Sequence, residues 1–141
     1  EDAYAYAKFA RVALDTNVIV SAVATRGLCA DVLHLVLAEH RLVVGVTVLA
    51  ELEKVLRGKM RVPAKLIEEV IALLREEGDV VERGAPPAVK VRDRSDVAVL
   101  AEAIARNATL LITGERDLLA VTADLPVRIL TPRDFWKLLR S

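Results

Sequence analysis

The amino-acid sequence predicts an α/β fold, a three-layer α/β/α sandwich around a mainly parallel central sheet, and three observations lead there. Short apolar runs alternate with longer segments of helical periodicity along the whole chain. The apolar runs are continuous rather than alternating, as strands covered on both faces are. Glycine, proline and hydroxyl residues stand at the junctions, where helices start and stop. At 141 residues and 54% apolar, the chain can build the core of one domain.

Residues 1–10, "EDAYAYAKFA", show no pattern that joins them to the strand opening at Arg11. They are read as a tag, a processed remnant or a short helical arm, which leaves 11–141 as the domain. "RVALD" reads as a buried strand and "TNVIVSAVA" as a helix that starts at once; "TRGL" then makes a glycine-containing break before a helix at about 29–39. "RLVVG" is a second strand, succeeded by the helix "VLAELEKVLRG", with Thr47 as its expected cap and Gly58 closing it. Pro63 suits the first turn of another helix, whose Leu66, Ile67, Val70, Ile71 and Leu74 recur at helical spacing up to Gly78.

"DVVE" is a third strand, and "RGAPPAVKVRDR" is a polar, proline-bearing loop with no periodicity. Ser95 is the expected cap of a helix running to about Asn107. "TLLIT" is a strand, "GERDLLAV" a glycine-led turn into a short helix, and "VRIL" a strand. In "TPRDFWKLLR" the N-cap Thr131, Pro132 at the first helical position and Asp134 three residues after the cap mark a last helix.

Composition narrows the function. Lys plus Arg and Asp plus Glu each total 20, so no long-range field draws the chain to nucleic acid or anionic lipid, and any polyanion must be held locally. The single Cys29 excludes an intrachain disulfide, and no Cys/His cluster suggests structural zinc. Uncharged stretches such as "LVVGVTVLA" fall short of the roughly 20 residues that span a bilayer. A soluble, cytoplasmic protein with no membrane association is expected.

The acids carry the chemistry. Ligands in parallel α/β sheets sit outside the carboxyl ends of the strands. Asp15 ends the first strand, Glu51 lies early in the helix after the second, Asp96 opens a helix, and Glu115 and Asp117 come after "TLLIT". Asp96 and Glu115 could serve simply as acids complementing a helix dipole, and Glu51 could be a solvated helix residue, although Glu53 suits the outer face better. Asp15 is harder to dismiss, because an ionised carboxylate at the end of an apolar strand costs several kcal/mol unless paired or metal-bound.

Converging carboxylates repel one another, and a hard cation removes the repulsion. With oxygen donors only, from the acids and from neighbours such as Thr16, Asn17 and Thr113, the ion would be Mg2+ or Mn2+. Such an ion activates water and stabilises charge on a phosphodiester, so the derived reaction class is metal-assisted phosphoryl hydrolysis.

The ordered set "RVALDTNVIVSA", the glutamate of "VLAELEKVL", "RSDVAVLAEAIARNATLLITGERDLLAV" and "LTPRDFW" resembles the PIN-domain family, in particular the VapC-like toxin components of toxin–antitoxin systems, from about residue 11 to 140. The resemblance implies a Rossmann-like sheet and a Mg2+- or Mn2+-dependent endoribonuclease, usually a homodimer, held inactive by an antitoxin protein. It implies that Asp15, Glu51 and Asp96 are the first three acids of the site. The fourth falls in "TGERD", where the family has aspartate two residues after the threonine and this chain has Glu115; either Glu115 or Asp117 would supply it. Asn17, Ser21 and Thr113 match polar positions that support the acids or a metal-bound water, and Asp93 could be a further supporting acid or a solvated loop residue.

With zero net charge, RNA contacts are sought among Arg26, Arg92, Arg94 and Arg116, each of which could equally be a solvated surface arginine. Tyr4, Tyr6, Phe9, Phe135 and Trp136 are the aromatic residues, too few and too scattered for an evident base-stacking platform. Three rivals remain. A haloacid-dehalogenase-like phosphatase needs a second aspartate where Asn17 stands, a phosphoacceptor receiver domain needs an acidic pair after its first strand and a late lysine, and a catalytically weak PIN scaffold would act through its partners.

Overall fold

The structure, a computed structural model, describes residues 9–85, 87, 89 and 91–140. Most of the 1–10 extension, Tyr4 and Tyr6 included, lies outside the described residues. Five short strands, β1 (Arg11–Leu14), β2 (Arg41–Gly45), β3 (Asp79–Val81), β4 (Leu110–Ile112) and β5 (Arg128–Leu130), form one sheet in the order β3-β2-β1-β4-β5. Every pairing is parallel: Val12 lies opposite both Leu42 and Leu110, Val44 opposite Val80, and Leu111 opposite Ile129. The expected sheet is therefore present, and it is wholly parallel.

The helices are α1 (Thr16–Ala24), α2 (Leu28–Glu39), α3 (Val46–Arg57), α4 (Ala64–Glu77), α5 (Arg94–Ala105), α6 (Arg116–Leu119) and α7 (Pro132–Arg140). Val12, Leu14, Leu42, Val44, Leu110 and Ile112 of the sheet are buried together with Ile19, Leu52, Leu56, Leu100 and Phe135 of the helices, which accounts for the unbroken apolar runs. α1 and α2 meet at 106° across the predicted break, where Gly27 takes a positive φ of 153° that side chains disfavour. α5 ends at Ala105, and Asn107 stands beyond it in the left-handed region at φ 59°, a conformation asparagine tolerates. Among the described residues no single helix is long and apolar enough to cross a membrane.

Two helix caps differ from expectation. Thr47 sits inside the first turn of α3, with Gly45 in the cap position, because its hydroxyl donates to Glu102 on α5. Ser95 likewise lies inside α5; the cap is Asp93, whose carboxylate accepts from the Ser95 backbone N–H at 2.8 Å and starts the helix earlier. Thr131 does cap α7, its hydroxyl accepting from the Asp134 N–H at 3.0 Å.

The strand order places the site. The chain winds outward from β1 through β2 to β3, then returns past β1 to β4 and continues to β5. The winding reverses between β1 and β4, so their carboxyl ends splay apart and open the crevice in which such sheets bind ligands. Asp15 comes directly after β1 and Thr113 directly after β4 at that point.

Candidate active site

Asp15 is the residue at which β1 becomes α1. Its backbone N–H still donates to the Ile112 carbonyl of the β1–β4 ladder at 2.9 Å, while its side chain already caps α1, Oδ1 accepting from the Thr16 N–H at 2.7 Å. Oδ2 accepts from the Thr113 hydroxyl at 2.6 Å. Asp15 is 3% exposed and Thr113 fully buried, so this carboxylate is fixed at the floor of the crevice by donors from both switch-point strands. Thr113 in turn accepts from the Glu115 backbone N–H at 2.9 Å, which links the turn after β4 to the acid after β1.

Around that floor lies a cleft of about 600 Å³ lined by Asp15, Thr16, Asn17, Glu51, Asp93, Asp96 and Glu115, with Lys54, Val55, Gly58 and Lys59 along one wall. The side chains sort the acids. Asn17 Nδ2 donates to Glu115 Oε1. Glu51 receives the Thr16 hydroxyl at 2.7 Å on one oxygen and the Ser95 hydroxyl on the other. Asp117 instead faces Arg92, 3.7 Å away and outside the cleft, so of the two acids of "TGERD" it is Glu115 that lines the site.

Electrostatics register the crowding. Asp96 is pushed up to about 6, first by burial and then by the negative charges of Asp93, Asp15, Glu115 and Glu51. Glu51 is also raised, mainly by burial, with Asp15, Asp93 and Glu102 adding to it and the Thr16 hydroxyl opposing. Both shifts express the same demand: the cleft favours anything that cancels negative charge.

That demand bears on a cation. As oriented, Asp15, Glu51 and Glu115 accept from hydroxyl and amide donors, and among the described residues no three Asp, Glu, His or Cys side chains converge on one point. The donor set is nevertheless all oxygen and surplus in negative charge, which fits a hard divalent ion and offers nothing to a zinc site.

Other expected residues lie elsewhere. Ser21 is exposed on α1, its hydroxyl bonded to Cys29 and not to an acid. Arg26, Arg92, Arg94 and Arg116 are exposed, and none lines the cleft. Three residues escaped the sequence reading. Lys54 comes three positions after Glu51, the spacing of neighbours on one helix face, and was readable with it; Lys59 lies beyond the end of α3, in a turn that periodicity does not place. Glu102 carried no signal, since its role is to accept hydrogen bonds from a distant segment.

A parallel α/β domain with a carboxylate-lined cleft at its switch point is the class of protein that the fold and the site define. The PIN domain family matches residues 11–117, and the chain belongs to that family of nucleases. Among solved structures, it is similar to VapBC2 from Rickettsia felis bound to a promoter DNA fragment, at 15% identity and a TM-score of 0.62, covering 84% of this chain and 96% of that one. It is also similar to VapBC-1 from nontypeable Haemophilus influenzae, at 20% identity and a TM-score of 0.57, covering 87% of this chain and 98% of the other. No curated protein sequence matches it.

Proposed function

We propose that this PIN domain is a Mg2+- or Mn2+-dependent endoribonuclease, the toxin of a toxin–antitoxin pair acting in the cytoplasm. The observation that carries the reading is the convergence of Asp15, Glu51, Asp96 and Glu115 on one cleft, with the Asp96 carboxyl raised to about 6 by burial and by its neighbours. The toxin role is supported by the VapBC names of the two similar structures, and a homodimer by the family resemblance.

In this mechanism Asp15, Asp96 and Glu115 would hold the ion. When bound, it activates water and stabilises the charge that develops on the scissile phosphodiester. The chain does the rest. Thr113 and the Thr16 N–H fix the Asp15 carboxylate, and Asn17 steadies the longer arm of Glu115. Glu51, held by the Thr16 and Ser95 hydroxyls and raised in proton affinity, orients the attacking water and takes up its proton.

The test incubates labelled RNA with the purified protein and Mg2+ or Mn2+, beside Asp15→Asn and Asp96→Asn. Cleavage should need the ion and should fall by more than the roughly 10- to 100-fold that loss of a ligand's hydrogen-bond partner costs. Cleavage that survives chelation, or that both variants retain, sinks the reading. Co-purification with the product of an adjacent short reading frame tests the antitoxin, and scattering mass tests the homodimer.

A further inference from the structure

We propose that Lys54 and Lys59 form a phosphate grip on the α3 wall of the cleft, holding the backbone of single-stranded RNA against the carboxylates. The proposal rests on the ribonuclease reading. A cleft lined by five carboxylates repels a polyanion, so a substrate strand needs cations of its own inside it. Among the described residues, Lys54 and Lys59 are the two cations that line it.

Their surroundings distinguish them from ordinary helix-end lysines, which merely complement the dipole. Arg57, in the same last turn of α3, is paired with Glu53 at 2.8 Å on the outer face. Arg92 faces Asp117. Lys54 and Lys59 are exposed and make no ion pair with any described residue, so their charges are available to the cleft they face.

The backbone presents them from fixed points. Lys54 is one turn beyond Glu51, about 4.5 Å further along the helix at 1.5 Å per residue. Lys59 lies past the end of α3, in a turn pinned by the Met60 N–H donating to the Val55 carbonyl at 3.0 Å and the Val62 N–H to the Leu56 carbonyl at 2.8 Å. Arg61 completes the turn in the left-handed region at φ 51°. Between the lysines, Val55 and Gly58 line the same wall and add no charge to it. The two ammonium groups thus grip phosphates on one side of the scissile bond, at positions that carry no base information.

The experiment measures binding of a labelled single-stranded RNA in the Asp96→Asn background with Mg2+, across a salt series. Lys54→Ala and Lys59→Ala should each weaken binding roughly tenfold and lower the salt slope by about 0.7 per lost phosphate contact. Lys54→Arg and Lys59→Arg should restore both. In the active protein the alanine variants should raise KM and leave kcat near wild type. Lys65→Ala, an exposed lysine on α4 outside the cleft, controls for net charge. If the Asp96→Asn protein binds RNA and the lysine variants bind it with unchanged affinity and slope, the grip is overturned and the nuclease reading stands. If no protein in the series binds RNA, the ribonuclease reading fails with it.

Discussion

The Glu102 carboxylate on α5 receives both the backbone N–H of Thr47, at 3.1 Å, and its hydroxyl, at 2.5 Å. Glu102 is 6% exposed, and Thr47 lies in the first turn of α3. One buried acid therefore ties the helix that carries Asp96 to the helix that carries Glu51, and satisfies an amide that the start of α3 leaves without a partner. Glu102→Ala leaves both donors unpaired in a closed space. We expect a loss of about 2–3 kcal/mol in unfolding free energy, and about 1–2 kcal/mol for Thr47→Val, read from urea midpoints. Midpoints unchanged in both variants would show that the contact is incidental.

Gly45 precedes α3 at an ordinary φ of −86°, so its lack of a side chain is a matter of space and not of backbone angle. A Cβ there would stand 1.9 Å from Glu102 Oε1. Gly45→Ala should destabilise by about 1–3 kcal/mol through overpacking. The same Cβ would stand 2.8 Å from the Glu102 Cδ and 2.8 Å from its Cβ; Glu102→Ala removes the carboxylate and keeps the Cβ, so the Gly45→Ala/Glu102→Ala double variant should recover part of the loss and be more stable than the sum of the single losses allows. Strict additivity in that double-mutant cycle would rule out the clash as the cause.

The Asp96 carboxyl, raised from 3.8 to about 6, is a stability statement with a definite sign. A carboxyl raised on folding favours the protonated form, so its contribution is full below about pH 4 and is lost as pH rises through 6. The protein in EDTA should become less stable across that window, and Asp96→Asn should raise its melting temperature at pH 7 by a few degrees while abolishing cleavage. A variant less stable than the parent at pH 7 would mean that the carboxylate is favourably placed without a cation, against the crowding of the cleft.

Periodicity decides how much of this molecule is legible in its sequence. Strand and helix order could be read because buried parallel strands are continuous apolar runs, and Asp15 could be singled out because it interrupts one. The caps were harder: Thr47 and Ser95 have the right chemistry for the role, but each hydroxyl is engaged across the fold, by Glu102 and Glu51. The arginines sought as RNA contacts lie near the expected edge of the sheet in sequence, whereas the cleft wall is set by α3 and the turn after it, which bring in Lys54 and Lys59. Long-range partners of polar residues leave no local pattern, and Glu102 shows it most clearly.

His40, at the end of α2, is buried with Nδ1 accepting from the Ala10 N–H at 3.1 Å, and its ring meets Phe135 of α7 edge-on at 6.2 Å. Burial pushes its pKa below 6.5, with Glu39 pulling weakly the other way. Protonating Nδ1 would set one N–H against another and break the tie between the start of β1 and the end of α2. A histidine lowered on folding contributes stability that is full above about pH 6.5 and is lost as pH falls through the folded value. The urea midpoint should therefore drop between pH 7 and 5, opposite in sense to the Asp96 effect, so the measurement belongs in the Asp96→Asn background. His40→Phe keeps the ring but removes the acceptor. It should cost about 1–3 kcal/mol at pH 7.5, from the unpaired Ala10 amide, and flatten the acid limb. A limb just as steep in His40→Phe would place the titrating group elsewhere.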